Sequence, residues 1–150
     1  VSALRLWFER YGSSHRHPVN RALHTVCVPA IAIALITLLA AIPLPWPKFV
    51  NLGSMLLSGI LAWYAYLSVR LAIGAAAVSG LSALFLIAHP SCATPLAMTL
   101  LFVAAWIGQF IGHAIEGRRP SFTEDLRFLL IGPLWVLEGV YCRLGLKPST

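Results

Sequence analysis

ALHTVCVPAIAIALITLLAAI, residues 22–42, contains no Asp, Glu, Lys or Arg. About 20 such residues wound as an α-helix cross the roughly 30 Å of hydrocarbon in a bilayer, so the stretch reads as a membrane span from about Ala22 to Ile42. Composition extends that reading to the whole chain. Hydrophobic residues make up 59% and charged residues only 11% of its 150 positions, with mean hydropathy +0.81. That leaves too little polar surface for a soluble domain of this size.

Toward the N-terminus, residues 2–11 mix Leu4, Leu6, Trp7, Phe8 and Tyr11 with Arg5, Glu9 and Arg10, the pattern of a short amphipathic helix lying at the membrane interface. Gly12, Ser13 and Ser14 follow, and Pro18 suits the first turn of the next helix. A basic start before an apolar run resembles a signal peptide. Here, however, Pro43, Pro45 and Pro47 follow in place of a small-residue cleavage site, and the run reads as a retained span.

Toward the C-terminus, a tight loop with Trp46 leads to a second apolar run, about Phe49 to Val69, where Trp63, Tyr64 and Tyr66 suit an aromatic belt. A third, about Leu71 to Ala88, is rich in the Ala, Gly and Ser that let helix backbones approach closely, within one bundle or between subunits of a homo-oligomer. His89-Pro90-Ser91 ends it. A fourth runs from about Pro95 to Ile115, after which polarity returns at Glu116-Gly117-Arg118-Arg119-Pro120. The fifth, Phe128 to Val140, is short and interrupted by Gly132-Pro133, which suggests a half-inserted or tilted segment. The expected fold is an all-α polytopic membrane helical bundle of about four spans. It carries an N-terminal amphipathic helix and a C-terminal half-inserted or fifth helix, all within a single integral-membrane domain over 1–150.

With four spans, Arg5, Arg10, Arg16, Arg21, Arg70, Arg118, Arg119 and Arg127 fall on one side and Lys48 on the other, which makes the Arg-rich side cytoplasmic. The net charge of +6 is accounted for by membrane lipids with anionic headgroups and calls for no nucleic acid. The same count brings His15, His24 and His113 to the cytoplasmic face and puts His89 opposite. An ionisable side chain at such depth is a functional-site hypothesis in its own right. Cys27, Cys92 and Cys142 are widely spaced in apolar sequence and read as small buried hydrophobes without disulfides.

Asn20 and His24 share one helix face, as do Gln109, His113 and Glu116 on the fourth span, so each of these two histidines has polar neighbours able to orient its ring. Imidazole suits zinc, copper, iron and nickel, so ligand type leaves the metal open. Headgroup or backbone bonding of interfacial histidines is the alternative. Glu138, between apolar neighbours, is an acid that needs a partner.

The string His15-Arg16-His17-Pro18-Val19-Asn20-Arg21-Ala22-Leu23-His24, with Trp106-Ile107-Gly108-Gln109-Phe110-Ile111-Gly112-His113-Ala114-Ile115-Glu116-Gly117-Arg118-Arg119-Pro120 later, resembles the membrane 2-hydroxy fatty acid dioxygenase family. That family includes a yeast enzyme of phytosphingosine breakdown and bacterial relatives. The similarity runs from about Leu6 through Gly132-Pro133-Leu134 and Glu138. One departure is Cys27, where the family commonly has glycine. The resemblance implies an Fe(2+) dioxygenase of lipid and sphingolipid metabolism that shortens a 2-hydroxy fatty acid by one carbon with dioxygen. It implies His15, His24 and His113 as iron ligands, with His17 a lower-ranked ligand or support. Glu116 would be a fourth ligand, a partner for a histidine or a partner for an arginine, and Asn20 and Gln109 hydrogen-bonding supports. Arg16, Arg21, Arg118 or Arg119 would meet the substrate carboxylate. The family's spread points to a bacterial inner membrane, or to the endoplasmic reticulum in a eukaryote.

Other readings stand beside this one. A membrane di-iron hydroxylase needs a larger clustered set than the five histidines present, and a haem protein needs axial histidines facing one another. A non-enzymatic membrane scaffold or small transporter with structural histidines needs neither.

Overall fold

The computed structural model describes residues 3–47, 49–120 and 127–146, which are helical apart from short connections. Among the described residues six α-helices follow in order: α1 (Ala3–Ser13), α2 (Pro18–Ala40), α3 (Leu52–Leu67), α4 (Val69–Ala88), α5 (Pro95–Glu116) and α6 (Arg127–Arg143), with a 3₁₀ turn at Pro90–Ala93. The helices α2, α4 and α5 are long and apolar enough to cross a membrane. At 16 residues, apolar α3 reaches only about 24 Å. The outward faces fit a lipid solvent: on α4, Ile73, Leu81, Leu84 and Ile87 are all well exposed, an arrangement that water would penalise and hydrocarbon does not.

Local chemistry sets the helix ends. Pro18 opens α2. The second apolar run begins at Leu52 rather than Phe49, because Asn51 caps α3: its side chain accepts the Ser54 N–H at 2.9 Å while the Ser54 hydroxyl accepts the Asn51 N–H at 3.0 Å. The break between the second and third runs is the single residue Ser68, whose N–H closes α3 on Tyr64 O and whose hydroxyl caps α4. Tyr64 turns inward and is buried, while Tyr66 stays exposed, so only part of the expected aromatic belt faces outward. Thr94 accepts the Ala97 N–H and starts α5. The fifth apolar segment is one helix: α6 runs through Gly132-Pro133 without a break. Lys48, the lone cation of the opposite face in the charge reading, lies outside the described residues.

The chain divides into two compact units, Val1–Pro29 with Trp106–Thr150, and Ala30–Ala105. The division within α2 falls at Pro29, which has no N–H to give the preceding turn. In the second unit, α3 and α4 pack as a hairpin. There Gly53 lies so close to Ile36 O and Ala40 of α2 that a side chain would collide with backbone. His89 closes α4, its N–H and ring Nδ1 both directed at Phe85 O. In the first unit α1 packs on α6, burying Leu4, Tyr11, Phe128, Ile131 and Leu134.

Candidate metal centre

Three histidines from three places in the sequence converge in the first unit. His15 lies in the turn after α1, where its N–H bonds Gly12 O and the preceding Ser14 N–H bonds Tyr11 O. His24 follows in α2, and His113 sits in the last turn of α5. Their ring centroids are 4.2 Å (His15–His24), 4.9 Å (His15–His113) and 4.9 Å (His24–His113) apart. One ring nitrogen from each lies within 4.8 Å of the others. All three are buried, with 2%, 2% and 5% of their surface exposed for His15, His24 and His113.

Main-chain carbonyls fix which nitrogen two of the three rings offer. His15 Nδ1 lies 2.6 Å from Tyr11 O and His24 Nδ1 lies 3.0 Å from Asn20 O. A carbonyl accepts only from an N–H, so both neutral rings carry the proton on Nδ1 and keep the lone pair on Nε2. His15 Nε2 and His113 Nδ1 have no hydrogen-bond partner among the described residues and are fully buried. Leaving such atoms unpaired costs about 1–3 kcal/mol each. A metal ion coordinated between them removes that cost, and the carbonyl-oriented imidazole is the usual support of a ligating histidine. Burial holds the His15 ring below its ordinary 6.5, at about 4, overcoming the upward pull of the Tyr11 carbonyl. At neutral pH its lone pair is therefore free for a cation. The residues fit a three-histidine metal site, and imidazole alone leaves the element open.

Glu116 is engaged elsewhere. Its carboxylate accepts the Arg16 N–H at 2.9 Å, the His17 N–H at 2.7 Å and the Asn20 Nδ2 at 3.2 Å. It thus ties the last residue of α5 to the chain just before α2, where a negative charge suits the helix dipole. Asn20 also donates to Ser14 O at 3.3 Å, so its side chain holds the His15 turn while its carbonyl orients His24. The His17 ring stands apart from the three-histidine group. Its Nδ1 accepts the Val19 N–H at 3.2 Å and caps α2, and the side chain is exposed.

Two glycines set the approach of α5 to α2. A Cβ at Gly112 would collide with Asn20, and one at Gly108 would lie 2.7 Å from the Cys27 sulfur. Cys27 and Gly108 thus divide the available space, with the bulk on α2 and the glycine on α5. Past the site, Gly117, at φ 70°, ends α5 with the Arg118 N–H reaching back to His113 O, a termination that glycine alone adopts without strain.

Of the residues expected from sequence, the fold assembles His15, His24, His113, Asn20 and Glu116. Gln109 is buried one turn before His113. Arg16, Arg21, Arg118 and Arg119 are exposed. Two aromatic neighbours of the site are not apparent from the sequence. Tyr11 stacks on His15 at 4.2 Å with planes 11° apart, and Trp135 lies 5.5 Å from the same ring. Tyr11 precedes His15 by one helical turn, a spacing that could have flagged it, whereas nothing local connects Trp135 on α6 to the histidines. Arg21 lies 5.7 Å over the Trp135 ring as a cation–π pair. Burial pushes the Tyr11 hydroxyl well above its ordinary range, so it stays protonated.

Fold and site together define an all-helical membrane protein with a buried three-histidine group able to hold a metal ion. The chain belongs to the Mpo1-like family: the family model described as 2-hydroxy-palmitic acid dioxygenase Mpo1-like matches residues 1–144. It is 27% identical over 140 residues to the 2-hydroxy-palmitic acid dioxygenase MPO1 of Saccharomyces cerevisiae, a match covering 92% of this chain and 79% of the yeast protein. No solved structure matches the chain.

Proposed function

We propose that this chain is an iron(II)-dependent dioxygenase that shortens 2-hydroxy fatty acids by one carbon, working as a single integral-membrane domain. The observation that carries the reading is the meeting of three buried histidine nitrogens, two with no hydrogen-bond partner among the described residues, in a chain of this family. The overall change balances without an outside reductant: the 2-hydroxy acid and dioxygen become the shortened acid, carbon dioxide and water. Iron(II) held by His15, His24 and His113 would supply redox chemistry with dioxygen and coordination positions for the hydroxy acid.

The protein's own contribution is geometry, dryness and charge. The Tyr11 and Asn20 carbonyls hold the His15 and His24 rings in one tautomer. Glu116 and Asn20 hold the turn that carries His15, and His17 acts as a helix cap supporting that turn rather than as a ligand. Buried Gln109 supports the same face of α5 as His113. Tyr11 and its aromatic neighbours keep water from the His15 side. Arg21, Arg118 and Arg119 supply positive charge for a carboxylate. We place the site at the cytoplasmic face of a bacterial inner membrane, or of the endoplasmic reticulum in a eukaryotic host, from the arginine bias.

The test is elemental analysis of purified, detergent-solubilised protein beside His24→Ala and His113→Ala, with dioxygen uptake on adding a long-chain 2-hydroxy acid. Near-stoichiometric iron, lost from both folded variants together with uptake, is the expected result. Zinc without uptake, even after anaerobic iron loading, would redirect the reading to hydrolytic chemistry. No metal under any condition would leave the scaffold or transporter.

A further inference from the structure

A groove of about 390 Å³ opens on the first unit between α1, α2 and α6, and it shares one wall with the metal centre. That wall is Trp135, whose ring borders both the groove and His15. Arg21 lies over the same ring from the α2 side, and Arg143 adds a second positive charge to the lining. Phe8, Val136 and Val140 give the wall an apolar stretch, while Thr25, Glu138 and Cys142 complete a mixed lining in which two arginines face one carboxylate. A cation beside an apolar trough matches a single acyl chain ending in a carboxylate. The volume lies toward the lower end of the roughly 300–1,000 Å³ of small-molecule sites, which suits one chain better than a two-chain phospholipid.

We propose that this groove is the acyl-acid site serving the metal centre, with Arg21 receiving the carboxylate beside Trp135 and the chain lying along α6. The assignment rests on the dioxygenase reading for the identity of the acid, and it selects Arg21 among the exposed arginines. Arg118 and Arg119 do not line the groove. Gly139 does, and a Cβ there meets nothing within 4 Å among the described residues. A large side chain at that position therefore fills the trough without striking a neighbour at its base, and a helical glycine is readily replaced.

The structure supplies its own reporter, since Cys142 lines the groove and is exposed, while partly exposed Cys92 lies in the other unit. The measurement is the rate of iodoacetamide alkylation at each cysteine, read by peptide mass on the intact protein without oxygen, so that no turnover occurs. The probes are a long-chain 2-hydroxy acid, its methyl ester and lysophosphatidylglycerol. The acid is expected to slow alkylation at Cys142 and not at Cys92, and the ester and lysophospholipid to leave both unchanged. In Arg21→Ala the protecting concentration should rise about tenfold, the size of one lost charge-assisted hydrogen bond. In Gly139→Phe the acid should give no further protection. Circular dichroism and gel filtration establish that both variants are folded.

Equal protection by acid and ester, or an unchanged concentration in Arg21→Ala, overturns the carboxylate assignment. Protection by the lysophospholipid at the same concentration makes the groove a headgroup site and overturns it as well. No protection at Cys142, or full protection in Gly139→Phe, removes the groove altogether. The two readings fail separately: dioxygen uptake without Cys142 protection sinks the groove alone, whereas protection without uptake by the iron-loaded protein sinks the dioxygenase alone.

Discussion

At the residue scale, the site depends on which atoms are already engaged. Glu116 uses both carboxylate oxygens to accept hydrogen bonds from the Arg16, His17 and Asn20 nitrogens. Glu116→Ala should therefore loosen the His15 turn and weaken metal binding about tenfold, as loss of a supporting partner typically does; Glu116→Gln, which keeps one acceptor, should fall between. Chelator competition measures both. His17→Ala should retain full metal stoichiometry while losing about 1 kcal/mol of stability with its helix cap, in contrast to His15→Ala. Metal analysis with thermal unfolding separates the two, and metal lost on His17→Ala would make that ring a ligand after all. For the metal-stripped protein, the His15 shift gives a signed pH effect. With its folded value near 4 and its ordinary value 6.5, the unfolded chain binds the extra proton between those limits. Stability attributable to His15 should thus be constant above about pH 6.5 and fall as pH drops toward about 4. Thermal unfolding at about pH 7 and about pH 5 tests this, and in His15→Ala the drop should be smaller.

At the element scale, the register of α2 against α5 is set by complementary sizes. Gly108→Ala would push a methyl group into the Cys27 sulfur and should cost about 1–3 kcal/mol as overpacking. Adding Cys27→Gly should return much of that loss, because the two positions share one space. A double-mutant cycle by thermal unfolding measures the coupling, and additive effects would show that the contact does not govern packing. Gly112 is more sensitive, since the atom it faces belongs to Asn20, which also holds Ser14 and Glu116. The motif around Gly108 and Gly112 was legible in sequence as part of a family string, but the reason for the glycines was not. It depends on which residues of a distant helix come opposite. The start of α3 and the junction of α3 with α4 differ from the apolar runs by two or three residues, whereas the run ending at Ala88 matches the end of α4; hydropathy sees apolar runs, while Asn51 and Ser68 set helix boundaries by hydrogen bonds.

At the scale of the whole molecule, a bound metal should act as a staple, because His15, His24 and His113 come from three separate elements. Removing it should lower the midpoint of thermal unfolding, and the midpoint should rise with free metal concentration, by about 2.7 kcal/mol of stabilisation at a hundredfold excess over Kd. A midpoint insensitive to metal would show that the histidines are satisfied without it. The abundance of exposed Leu, Ile, Val and Phe on α4 and α5 follows from the same global fact that set the fold class, a solvent of hydrocarbon.

The sequence by itself determined the helical membrane class, the approximate segments and the histidines worth watching, because hydropathy and helix-starting prolines are local properties of the chain. Pairing α1 with α6 was beyond it, as were the placing of Trp135 against His15, the engagement of Glu116 with backbone N–H groups and the use of His17 as a cap. Those depend on which distant residues meet and on which lone pairs remain after each local hydrogen bond is made. Only the tertiary structure decides that, since the meeting of α2, α5 and α6 is a property of packed faces and not of any one of them.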